Sequence, residues 1–223
     1  MNTDDTRRAL LTLVGAGAVL SACGGTKESD EVSATEDLMR EHGVIRRVLV
    51  VYRCTALQLR TSPGSVPLEA VRDAAQLMRS FGEDYHEKQL EEAHLFPALR
   101  KAGGPASAEL DTLLAQHQRG REITAFVLAA AQKKLGDAEP LARTLEAFAL
   151  MYESHAARED TIVFPAWKKA LSAKQLDEMG ELFEELEHKT FGRDGFDDAV
   201  AKIEAVEQAI SLTNASLTAP PPP

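Results

Sequence analysis

The chain has 223 residues and a formal net charge of −10, with 44% hydrophobic, 27% charged and only 5% aromatic residues. That length suits one or two domains, and a wealth of Ala, Leu, Glu and Lys leans toward helix. The acidic balance leaves no basic stripe to neutralise phosphates, so nucleic acid is not an expected partner. No nucleophilic triad, Gly-rich phosphate loop or CxxC pair supports hydrolase, NTPase or dithiol chemistry.

Residues 1–22 read as a signal peptide: Arg7 and Arg8, an apolar run over 9–20, then small residues. The run is too short to span roughly 30 Å of hydrocarbon. It ends in Leu20-Ser21-Ala22-Cys23, which resembles the bacterial lipobox. That resemblance implies cleavage before Cys23, lipidation of its sulfur and anchoring to a membrane at the cell envelope. Thr6 to Leu11 is also similar to a twin-arginine signal, which implies export after folding; ordinary secretion is the alternative. Residues 23–34 are polar and read as a flexible tether.

From residue 35 the periodicity is helical throughout, and no alternating strand segment is present. The first helix is expected over 35–60, stopping near Ser62-Pro63-Gly64. A second follows from Ser65-Val66-Pro67 to Gly103-Gly104-Pro105. A third starts near Ser107 and ends at Gly136; a fourth runs from Asp137 and Pro140 to Leu171. Long helices joined by short Gly/Pro breaks give an all-α, up-down-up-down four-helix bundle over 35–172. Two shorter helices over 173–213 are expected outside the bundle or capping one end, and 214–223, ending in four prolines, reads as a disordered tail.

The six histidines decide what the bundle is for: His42, His86, His94, His117, His155 and His188. At about 100° per residue, His155 shares a stripe with Phe148, Met151, Tyr152, Ile162 and Ala166, and Glu159 lies on the same stripe one turn on. His117 aligns with Leu110, Leu113, Leu114, Thr124 and Leu128, and Arg121 falls there too. His42 sits with Leu38, Met39, Ile45 and Leu49. His86 aligns with Ala75, Met78 and Gly82, but Glu91 is five residues away, about 140° round a regular helix. A π-bulge between them would bring Glu91 back; otherwise Glu91 reaches in from the wall, and Glu87 is a further candidate. A bulge would also turn His94 inward as a supporting residue. His188 reads as surface, and Cys54, about 120° from His42, as an inert buried thiol. Four inward imidazoles and two carboxylates would be costly to bury without a cation.

His42, the segment Tyr85-His86-Glu87-Lys88-Gln89-Leu90-Glu91-Glu92 through Leu95-Phe96-Pro97, His117, and His155-Ala156-Ala157-Arg158-Glu159-Asp160 through Val163-Phe164-Pro165 together carry a likeness. Over 35–172 the chain resembles the hemerythrin-like, HHE cation-binding family, and 182–195 looks like the tail of some bacterial members. The resemblance implies two iron ions, with His42, His86, His117 and His155 as terminal ligands and Glu91 and Glu159 as bridges. Asp160 has the five-residue spacing used by oxygen carriers, but it lies off the stripe of Glu159, which is preferred. Where oxygen carriers place a second His one turn after the third-helix His, this chain has Arg121, expected to pair with Glu87 or Glu91. The donor set is therefore richer in oxygen and suits Mn as well as Fe. The resemblance implies binding of dioxygen, nitric oxide or a similar small ligand. The alternatives are a di-iron ferroxidase or peroxide-consuming oxidase, with Tyr85 and Tyr152 as radical or proton partners, or iron storage.

Overall fold

The computed structural model describes residues 32–132 and 136–212. The expected signal peptide, the lipidated Cys23, most of the tether and the C-terminal tail lie outside these described residues.

Helix α1 (Ala34–Thr61) begins at Ser33, whose Oγ accepts from the Glu36 amide at 3.3 Å; Glu36 and Asp37 add negative charge in the first turn. It stops at Ser62, where Pro63–Ser65 form a short 3₁₀ turn. The second bundle helix is composite: α2 (Leu68–Leu77), a π-helical stretch (Met78–Leu95), then α3 (Phe96–Ala102). Gly103 and Gly104, both at positive φ, end it. Helix α4 (Leu110–Ala131) is the third. The fourth is again composite, with α5 (Glu139–Arg158), a π turn (Glu159–Val163) and α6 (Phe164–Ala170).

The two π segments end alike. Phe96 N–H donates to the Glu91 carbonyl and Phe164 N–H to the Glu159 carbonyl, each five residues back. A proline follows each Phe. A proline ring inside a helix crowds the carbonyl four residues before it and supplies no N–H, and the wider i→i+5 turn relieves that crowding. The Phe-Pro pairs thus mark where each helix returns to α winding.

Helix α7 (Ala173–Phe191) starts with a capping box between Ser172 and Gln175 and ends at Gly192 in the left-handed conformation. Helix α8 (Gly195–Ala209) is capped by Asp194. Both pack on the outside of the bundle: α8 lies against α1 and α2, and α7 against α1 and the π stretch. Phe183 of α7 stacks on buried Trp167 of α6, 5.9 Å between ring centres. The described residues are all-α, with no strand, and none of their helices is long and apolar enough to cross a membrane.

The π turn changes the inward face of the fourth helix. Ile162, expected on the stripe of His155, is 38% exposed, and Val163, Phe164 and Trp167 are buried instead. The extra residue in the turn rotates everything after Glu159 relative to a regular wheel. Met39, placed with His42, is likewise 38% exposed, because it sits about 60° from His42 at the margin of the stripe.

Candidate metal centre

Four imidazoles converge in the middle of the bundle, one from each helix, and all are at most 1% exposed. His42 and His86 face each other with ring centres 4.7 Å apart; His117 and His155 repeat that spacing at 4.7 Å. Each Nε2 points inward. The Nε2 atoms of His117 and His155 lie 3.1 Å from each other, close to what two ligands of one cation need when each bond is about 2.1 Å.

Two carboxylates lie between the histidine pairs. Glu91 presents Oε1 to His86 Nε2 at 3.5 Å and Oε2 to His117 Nε2 at 3.4 Å. Glu159 lies 3.0 Å from His155 Nε2, 3.4 Å from His42 Nε2 and 3.8 Å from His117 Nε2. The π winding makes this possible for Glu91, since an i→i+5 ladder sets residues five apart one above the other. The ligand atoms form two tight groups, His42–His86–Glu91 and Glu91–His117–His155–Glu159, which share Glu91.

The chemistry of these atoms fits a metal. Nε2 of His42 and His86 and all four oxygens of Glu91 and Glu159 are buried without a hydrogen-bond partner. Burial opposes charge on His42 and His86, yet their bonds and attraction to the facing carboxylates raise both, His86 well above the ordinary value. His117 responds likewise and is raised to about 10. Burial pushes Glu91 and Glu159 upward, but the imidazoles overcome it and hold both below the usual carboxylate range. Without a cation, protons hold these charges together; a metal takes their place.

Each outward Nδ1 meets one acceptor, so the imidazole can donate there and keep the Nε2 lone pair for a metal. Asp160 lies 2.7 Å from His42 Nδ1, Glu41 2.5 Å from His86, Glu92 2.9 Å from His117, and Gln116 Oε1 3.0 Å from His155. These contacts run in one direction round the bundle. Helix α1 holds the histidine of the second helix, the second that of α4, α4 that of α5, and the π turn of the fourth that of α1. Phe164 stacks on His42 at 5.3 Å and Phe96 on His117 at 5.6 Å, which keeps the rings upright.

Beside the His117–His155 pair lies a second polar layer. Tyr152 Oη donates to Glu87 at 3.1 Å, and Arg121 spans Glu87 at 3.1 Å and Glu92 at 2.8 Å. Burial pushes Glu87 up to about 7, against the pull of His117 and His155. Further out, Arg79 lies 2.8 Å from Glu83, which also accepts from Thr124 at 2.5 Å.

The structure thus brings together His42, His86, Glu91, His117, His155 and Glu159, with Glu87, Arg121, Tyr152 and Asp160 immediately around them. Asp160 faces Nδ1 of His42 and pairs with Arg46, so it is turned away from the centre. Arg121 pairs with Glu87, as expected, and also with Glu92; Glu91 is turned inward between the histidines. His94 is not a supporting residue: it is half-buried with its ring 6.2 Å from Phe183, since the π winding turns it toward α7. His188 is exposed. Cys54 is a free, half-buried thiol whose ionisation burial pushes up. Tyr85 is buried, with its ring against Phe81 at 5.8 Å and Phe191 at 5.2 Å. Sequence reasoning missed Glu41, Glu92 and Gln116; their one visible signal is that each adjoins an inward ligand in the chain.

An all-α bundle with a buried His/Glu group able to hold metal defines a class of helical metal-binding proteins. The chain belongs to the hemerythrin HHE cation-binding domain family, which it matches over residues 33–167. It is 39% identical, over 234 aligned positions, to uncharacterised proteins of Mycobacterium bovis and of two strains of Mycobacterium tuberculosis; the match covers 96% of this chain and 91% of each relative. No solved structure matches it.

Proposed function

We propose that the centre holds two iron ions and binds a small ligand, dioxygen or nitric oxide, in a protein anchored at the cell envelope through Cys23. His42 and His86 would serve one ion, His117 and His155 the other, with Glu91 and Glu159 shared. The observation that carries this reading is Glu91, which offers one oxygen to each histidine pair. Iron, when bound, supplies coordination positions for the ligand and a change of oxidation state; the oxygen-rich donor set also suits manganese. The chain's own residues prepare the place. Phe96 and Phe164 cover the imidazoles and exclude water, and the ring of Nδ1 acceptors fixes each ring's tautomer and direction.

A second reading, a peroxide-consuming or ferroxidase enzyme, is favoured by Tyr152 and Glu87. Their buried hydrogen bond beside His155 can hold a proton where a bound oxygen species would need one. Anaerobic loading of the full chain with Fe(II), followed by metal analysis and visible spectra, separates the two. Two irons per chain and a band that appears with air and disappears when the gas is removed support ligand binding. Irreversible oxidation, with hydrogen peroxide consumed over many turnovers, supports the enzyme. Protein that holds no iron after loading overturns both. Membrane fractionation of wild type against Cys23→Ala tests the anchor, which predicts release of the variant.

A further inference from the structure

The chain is acidic overall, with 35 Asp and Glu against 25 Lys and Arg, yet one end of the bundle departs from this. Residues 93–108 and 161–176 contain no Asp or Glu, and they carry Arg100, Lys101, Lys168, Lys169 and Lys174. The two segments hold the last turns of α3 and α6, which pack against each other. Lys101, Lys168 and Lys169 are exposed there, and none has an ion-pair partner among the described residues. Lys174 pairs with Glu178 at 3.1 Å. Most acids at this end are already engaged: Asp111 by Arg100 at 2.6 Å, Glu109 by Arg158 at 3.0 Å, and Asp37 by Arg40 at 3.5 Å. Exposed Glu36 and Asp177 belong to the side where α7 packs on α1, not to α3 or α6.

A last-turn lysine complements the dipole of its own helix, and that alone would account for one such residue anywhere. The course of the chain adds an independent observation at the same end. In this antiparallel bundle α1 starts where α3 and α6 finish, and α1 packs on α6. Cys23 is joined to the start of α1 by residues 24–33. A stretch of that length reaches at most about 36 Å when fully extended. Helix α1, with 28 residues, is about 42 Å long. An anchor at Cys23 therefore cannot stand the bundle on its far end, and it keeps the α3–α6 end within reach of the membrane.

We propose that Lys101, Lys168 and Lys169 form a membrane-facing surface that rests on the anionic headgroups of the lipid layer holding the anchor. Each ammonium close to such a layer is attracted by the lipid phosphates. Ala102, Gly103, Gly104 and Pro105, all exposed and uncharged, let the end of α3 approach the headgroups without bringing a carboxylate against them. Glu181, Glu184 and Glu185, exposed on α7, are repelled by the same field, so the two sets of charges together orient the bundle. His42 lies only about 12 Å along α1 from Ala34, which puts the histidine centre in the half of the bundle nearer the membrane.

This surface rests on the lipid anchor proposed above, and one experiment separates the two. Full-length protein purified from membranes is reconstituted on vesicles rich in phosphatidylglycerol or made of phosphatidylcholine alone. Its lysines are acetylated briefly with an amine-reactive reagent, and the rate at each is read by mass spectrometry. On the anionic vesicles Lys101, Lys168 and Lys169 should react about fivefold more slowly than on the neutral ones, the scale of one lysine's attraction to such a surface. Lys189 on α7 and Lys202 on α8, exposed and also without ion-pair partners among the described residues, should react alike on both. In roughly 1 M salt, where the Debye length falls to about 3 Å, the protection should disappear. Equal rates on the two vesicles, or equal protection of Lys189 and Lys202, overturn the membrane-facing end and leave the anchor standing. Protein that floats with neither vesicle overturns the anchor and the surface together.

Discussion

Oε2 of Glu41 on α1 lies 2.5 Å from Nδ1 of His86 on the π stretch, and three further pairs repeat this relationship round the bundle. Each pair ties two helices and fixes one imidazole, so the ring serves fold and site together. Acceptors of this kind cost about 10- to 100-fold in metal affinity when lost. Glu41→Ala is therefore expected to weaken metal binding by that order, read by competition with a chelator. Glu41→Gln keeps an acceptor oxygen and should lose less. Equal affinity in wild type and Glu41→Ala would show that the contact only packs the helices.

The sharing of Glu91 gives a stoichiometric prediction. On the proposed two-metal reading, His86→Ala removes a donor from one histidine pair, and the protein should retain one metal ion in place of two. Glu91→Ala removes a donor from both groups and should lower the count further, with the remaining ions lost readily on dialysis. Metal analysis of the purified variants after identical loading checks this. Equal counts in the two variants would mean that the pairs do not share Glu91.

Much of this was legible in the sequence, and its limits have physical causes. A 3.6-residue period places His42, His117 and His155 inward without any knowledge of neighbours, and the Gly/Pro breaks separate the helices. His86 and Glu91 expose the limit of a regular wheel, since five residues match only if the winding changes. The π stretch supplies that change over 18 residues, well beyond a single bulge, and a π turn in the fourth helix was not foreseen. Ile162 was misplaced for that reason. Glu41, Glu92 and Gln116 stayed hidden because a residue adjoining an inward ligand falls about 100° from it and reads as surface. Its partner belongs to another helix, and only packing reveals it.

Arg121 lies one turn after His117 on α4, and its role is electrostatic. It is 14% exposed at the side chain and holds Glu87 and Glu92 together. Arg121→Ala leaves both carboxylates facing one another without their cation. Charged hydrogen bonds of this kind are worth roughly 2 kcal/mol, and the metal-free variant should be destabilised by about that amount in urea unfolding. Glu92 also orients His117, so metal affinity should fall in the same variant. An unchanged urea midpoint would mean that Glu87 and Glu92 do not depend on Arg121.

Asp37 makes the stability of the metal-free fold sensitive to pH. Burial, and then the charges of Glu41 and Glu187, push its carboxyl from 3.8 up to about 7, with Arg40 and His86 pulling the other way. A carboxyl whose folded value lies above its unfolded one favours the fold while it is protonated. Its contribution is fully present below about pH 4 and is lost as pH rises through about 7. The metal-free protein should therefore lose thermal stability across that interval relative to Asp37→Asn, whose side chain does not ionise. Glu87, also raised to about 7, adds a slope of the same sign in both proteins and cancels in the comparison. The measurement is the difference in Tm between wild type and Asp37→Asn at pH 5 and pH 7.5, with a chelator present. That difference should shift in favour of the variant at the higher pH.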